Sequence, residues 1–145
     1  MSLPPVPAGL APLPDAEAVV AALLAGRPEL AGIWVGDRLP DTYDGSQLAV
    51  LVDRIGGAAD PSTMSWFDTP HLDLKSYGKD KAAAQALSAI VRYLMSIAVY
   101  CEVQGAVFSD VVENTGPQWF ADASADYPES GYYLLQVAVT LHPVS

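Results

Sequence analysis

The chain has 145 residues, 51% of them apolar and 17% charged, enough for one domain with a substantial buried core. Seventeen acidic against seven basic residues leave a formal net charge of −10. That balance argues against gripping nucleic acid, where Lys and Arg must displace counterions, and against adhesion to an anionic membrane surface. The lone cysteine, Cys101, excludes an intrachain disulfide and Cys/His zinc spacings, and no apolar run approaches a membrane span.

Residues 1–14, MSLPPVPAGLAPLP, carry five prolines and no charged side chain. Proline removes a backbone donor and clashes with the preceding turn, so this stretch predicts an extended arm, loose or laid along a neighbour. It has neither the basic start nor the long apolar run of a secretory signal. Residues 15–145 are expected to form a single α+β domain. Asp15 caps a helix to about residue 25, with Val19, Val20, Leu23 and Leu24 as its buried stripe and Gly26 and Pro28 as its stop. A short strand at 32–38 and a polar turn region at 39–46 lead to a clear strand at 47–55. There Leu48, Val50 and Val52 share one face and Ala49, Leu51 and Ile55 the other, which places it centrally in a sheet. Gly56-Gly57 is expected to end it.

A long connection (57–70) precedes a strand at 71–77, and Asp80 then opens the longest helix, about 80–100. Its polar line is Lys81, Gln85, Ser88, Arg92 and Ser96; its apolar line is Ala83, Leu87, Ile90, Leu94 and Ile97. A third line, Ala82, Ala86 and Ala89, is small enough for close approach to a sheet or a second subunit. A strand at about 106–113, a second long connection (115–130) and a strong strand at 131–142 follow. On the last strand Tyr133, Leu135, Val137, Val139 and Leu141 line one face; Tyr132, Leu134 and Ala138 share the other with Gln136 and Thr140. Strands adjacent in sequence without intervening helices predict an α+β fold with a mainly antiparallel sheet of about four to five strands.

Asp68, His71 and Asp73 look at first like metal ligands. His71 and Asp73 would share one strand face, but the third ligand would have to be Asp68, in the irregular stretch before Pro70. An alternating strand with polar residues outside and Asp80 as a helix cap accounts for the same letters. His142 sits near the end of the sequence before Pro143. Cys101 follows a helix C-terminus, whose dipole disfavours a thiolate, so an inert buried thiol is expected. No nucleophile elbow, phosphate-cradling Gly-rich loop or H-E-x-x-H helix is present. Asp37, Asp41, Asp44, Asp60, Asp122 and Asp126 fall where turn chemistry wants Asp. More telling are two aromatic pairs, Trp66-Phe67 and Trp119-Phe120, one in each long connection. Each pair either folds back as satellite core or anchors into a partner, since aromatic side chains are favoured at interface centres.

The segments PDAEAVVAALLAGRPEL, GIWVGDRLPD, LAVLVDRIGG, DTPHLDLKSYGKDKAAAQALSAIVRYL and GPQWFADASADYPESGYYLLQVAVTL, in this order and spacing from about Pro14 to Leu141, resemble the tail terminator (tail completion) proteins of long-tailed actinobacteriophages. Carrying most of the likeness are R-I-G-G at 54–57, D-x-P-x-L-D-L-x-x-Y-G-x-D-x-x-A-A from Asp68 to Ala84, and the last strand. The resemblance implies a small α+β domain with two helices on one face of the sheet. It also implies a homohexameric ring that caps the head-proximal end of the tail tube, stops its polymerisation and meets the neck and connector proteins. No enzyme activity and no cofactor are implied, and the chain would reside in the virion after assembly in the host cytoplasm. Six copies would carry six times −10, or −60, so the channel is expected to be net negative and to pass DNA without specific binding. Trp66, Phe67, Trp119 and Phe120 are the expected contacts to tube or connector subunits, and Trp119→Ala is expected to leave the subunit folded but block tail joining. Two rival readings are a different neck or tail component, such as a head-completion protein or tail tube subunit, and a small metal-dependent enzyme built on His71.

Overall fold

The computed structural model describes residues 13–59, 67–122 and 126–144; most of the proline-rich arm lies outside them. Helix α1 (Ala16–Ala25) begins where the Asp15 carboxylate accepts the Ala18 N–H at 3.3 Å, satisfying a donor that the first turn leaves unpaired. It ends at Gly26, and Pro28 opens a single 3-10 turn (Pro28–Leu30) that buries Leu30. Ala16, Val19, Val20 and Leu24 are buried, with Leu23 at the margin, close to the expected stripe.

Strand β1 (Trp34–Gly36) runs parallel to β2 (Ala49–Ala59). Antiparallel pairings then join β2 to β3 (Asp68–Gly78), β3 to β6 (Gly131–Pro143) and β6 to β5 (Ala106–Ala121). A two-residue β4 (Glu102–Val103) folds back on β5. Among the described residues the sheet therefore has six strands in the order β1-β2-β3-β6-β5-β4. The α+β class stands, but four to five antiparallel strands is corrected to six with one parallel pair. Residues 37–48 carry the chain back to start β2 beside the start of β1, where a hairpin would have reversed it. Helix α1 packs on β1 and β2 and also touches β4, at the other end of the strand order, so the sheet is curled.

Both hairpin arms reach further than expected. Gly56-Gly57 does not end β2; the register shifts between Arg54 and Gly56, and the strand continues to Ala59 opposite Asp68. Gly57 (φ +83°) faces Pro70, and a Cβ there would lie 2.1 Å from the Thr69 carbonyl oxygen and 2.7 Å from the His71 nitrogen. Only glycine allows that approach. Residues 57–59 and 68–70 are thus strand, and 60–66, which include Trp66, lie outside the described residues. Likewise β5 runs through the expected connection as far as Ala121, with register shifts around Ser109, Asn114 and Gly116-Pro117. A proline is tolerated there because β4 pairs only with Ala106 and Val107, leaving the rest of β5 as an edge strand among the described residues.

Helix α2 (Lys81–Ser96) is capped by the Asp80 carboxylate, which accepts the Ala83 N–H at 2.8 Å. It stops short of the expected residue 100: Ala98 turns into the core, and Tyr100 adopts a left-handed backbone (φ 70°). Its buried face is Ala84, Leu87, Ser88, Val91, Leu94 and Met95. This corrects two assignments. Ser88, placed on the polar line, sits between Ala84 and Val91 and is buried; Ile97, placed on the apolar line, lies past the helix end and is 44% exposed. Both helices cover the sheet face formed by Val50, Val52, Leu72, Leu74, Phe108, Leu135, Val137, Val139 and Leu141, the two-helix, one-face arrangement expected. No described helix covers the other face. β2 is accordingly second from an edge, with Asp53 exposed on the uncovered side.

Candidate functional site

Alternation along β3 and β6 aims His71, Asp73, Lys75 and Tyr77 outward beside Ala138, Gln136, Leu134 and Tyr132. At one end of this outer face four aromatic rings form a row. Tyr43, from the turn after β1, meets the Tyr77 ring edge-on at 5.7 Å; Tyr77 lies 4.9 Å from Tyr132; Phe120 stacks on Tyr132 at 5.5 Å and 18°. The Lys75 ammonium sits 5.2 Å from the Tyr132 ring centroid. Burial, with the Asp122 carboxylate next, pushes the Tyr77 phenol up to about 12 and the Tyr43 phenol upward. Both stay neutral at physiological pH, so the row is apolar with hydroxyl handles. The middle of the face is polar: Gln136 donates to Asp73 at 2.9 Å, and the Thr69 and Thr140 hydroxyls are 3.4 Å apart. At the far end Phe67 packs edge-on against His142 at 5.4 Å.

The inner face has its own opening. Between α2 and β5 runs a groove of about 650 Å³ lined by Gln85, Ala89, Arg92, Tyr93, Pro117 and Tyr133. A smaller hollow of about 150 Å³ lies alongside, against Met95, Val111, Leu135 and Val137. Arg92 and Glu113 close an ion pair beside both, at 2.6 and 2.8 Å, and the hydrogen bond to Glu113 raises the guanidinium pKa. Tyr93 is 59% exposed on the groove's rim, and Tyr100, beyond the helix end, is 83% exposed.

The four expected anchors are not gathered into one patch. Trp119 and Phe120 belong to β5 and face opposite sides: Trp119 packs against Tyr133 at 5.4 Å on the inner side, and Phe120 joins the outer row. Phe67 is half-buried at the opposite end of β6, and Trp66 lies outside the described residues. Sequence reasoning passed over Tyr43, Tyr77 and Tyr93. For Tyr93 a signal existed: the line Ala82, Ala86, Ala89 continues at helical spacing to it, and that whole line is exposed.

The metal reading meets a geometric obstacle. Asp68 is 4% exposed and lies opposite Leu141 on the inner face, where both its oxygens accept from the Arg54 guanidinium at 2.8 and 2.9 Å. His71 and Asp73 point the other way. Among the described residues no three His, Cys, Asp or Glu side chains are grouped to hold a metal ion. Cys101 is half-buried against the core, its Sγ 3.9 Å from the Ile97 carbonyl oxygen.

Among the described residues no helix is long and apolar enough to cross a membrane. Comparison with protein families finds one whose model matches residues 12–127, from just before α1 to the turn before β6; it is described as phage tail termination protein. No curated protein matches the chain.

Proposed function

We propose, since the chain belongs to the phage tail termination protein family, that this structural component of a bacteriophage tail works as a closed ring of copies, six in number. The ring caps the head-proximal end of the tail tube, stops its growth and presents a joining surface to the neck. The observation that supports this most is the outer sheet face. No described helix covers it, and the row Tyr43, Tyr77, Tyr132 and Phe120 lies on it, with Tyr77 buried within the row and Phe120 exposed at its end. Rigid aromatic rings on a sheet suit a shape-complementary contact with another rigid subunit. Phe120 and Trp119, with Phe67 and Trp66 at the other hairpin, are the proposed contacts to tube or connector subunits. No cofactor and no bond-making step enters this reading, and a ring charge near −60 lets DNA pass without sticking.

Electron microscopy of the purified chain, alone and with tail tube protein, tests the proposal. Rings alone and capped, shortened tubes in the mixture are the expected images. Long tubes formed by the chain alone would make it a tube subunit and overturn the cap.

A further inference from the structure

A cyclic head-to-tail assembly needs two different patches on each copy, at opposite margins. The groove between α2 and β5 is one candidate patch, and the root of the N-terminal arm, at Asp15 before α1, is another. Asp15, from which the arm departs, shares a hollow with Glu17, Gly36 and Asp37 beside β1. The strand order puts β1 at one end, with β2, β3 and β6 between it and β5.

The groove has the chemistry that a proline-rich strand seeks. Tyr93 and Tyr133 line it with Pro117 and the small Ala89, and its one cation, Arg92, is held by Glu113. Aromatic-lined grooves bind extended proline-rich segments because these are ordered before they bind. Residues 1–14 are the one such segment of this chain, and their side chains carry none of its −10 charge. Copies this acidic repel one another wherever charged surfaces meet, so an uncharged strand on a charge-balanced groove is the favourable contact. Twelve residues at about 3.1 Å each span roughly 37 Å when extended.

We propose that the N-terminal arm of each copy lies in the α2–β5 groove of its neighbour, stacking prolines on Tyr93 and Tyr133. The assignment rests on the ring reading, because it joins one copy to another.

The test uses the full chain with a photoreactive phenylalanine analogue in place of Val6, mixed as equal light and heavy isotopic copies. Irradiation followed by mass spectrometry is expected to join the arm to α2 peptides around Tyr93, with half of the pairs carrying mixed labels. Tyr93→Ala, at an exposed position, should cut the yield at least about fivefold with no change in melting temperature. Crosslinks within one label only would place the arm in its own groove and overturn the proposal. Rings by native mass spectrometry with no crosslink to α2 would overturn it while leaving the ring intact. A chain that stays monomeric even with tail tube protein would remove the ring reading and the proposal together.

Discussion

Trp119 and Phe120 are neighbours in sequence, yet they lie on opposite faces of the sheet: Trp119 against Tyr133 beside the groove, Phe120 stacked on Tyr132 in the outer row. One substitution in each therefore probes one surface. Phe120 is 37% exposed at the end of its row, so Phe120→Ala is expected to lower stability by no more than about 1 kcal/mol and to weaken tail joining. Trp119→Ala strips the ring from Tyr133 and opens space beside Gly131, and is expected to lower stability by about 2 kcal/mol. Urea unfolding separates the two, and a tail-joining assay on Phe120→Ala decides whether the outer row is a contact. Normal joining by that variant would remove Phe120 from the interface.

Gly56 and Gly57 look interchangeable in sequence and are not. A Cβ at Gly57 would meet the Thr69–His71 backbone at 2.1 to 2.8 Å, and that backbone is held between β2 and β6. Gly57→Ala is expected to lose more than about 3 kcal/mol, from the collision and the positive φ together. At Gly56 nothing lies within 4 Å, so only backbone strain remains and Gly56→Ala should lose about 1–2 kcal/mol. Chemical denaturation of both variants checks the ordering. Equal losses would mean that β2 does not continue past its bulge.

The same pair shows why part of the fold was legible and part was not. Helix starts were readable because a cap is local: Asp15 and Asp80 each reach an N–H three residues on. The alternation of β6 was readable because one face is buried from Leu135 to Leu141. Gly56-Gly57 and Gly116-Pro117 also signal breaks, and here they are a bulge and an edge position inside long strands, while Pro70 sits within β3, between β2 and β6. Only the partner strand distinguishes the two, and partner strands are not local. The aromatic row has the same character: Tyr77, Tyr132 and Phe120 come from three strands and meet through strand register, and Tyr43 joins them from the turn after β1.

Asp68 and His71 give the metal reading a direct trial. Asp68→Asn leaves the Arg54 guanidinium without its counter-charge inside the hairpin, and a loss of about 1–3 kcal/mol is expected. His71 is exposed on the other face, so His71→Ala should stay within about 0.5 kcal/mol of the parent. Thermal melts with zinc or manganese against a chelator should show no shift in either variant or in the parent. A metal-dependent stabilisation of the parent that His71→Ala abolishes would restore the metal site.

Tyr77 predicts how the domain fails in alkali. Its phenol is pushed from 10.0 up to about 12, first by burial and then by Asp122. In the unfolded chain the phenol ionises near 10, while the folded chain holds the proton to about 12. Across that window the unfolded state binds fewer protons, so stability is intact below pH 10 and falls as pH rises toward 12. Two units correspond to a loss on the order of 2–3 kcal/mol. Tyr77→Phe cannot ionise, so its stability should decline less over the same range, with the Tyr43 phenol, raised by the same causes, supplying part of the remainder. Denaturant melts of both proteins from pH 9 to 12 measure the difference. Parallel curves would show that the aromatic row is more open to water than its 6% exposed Tyr77 implies.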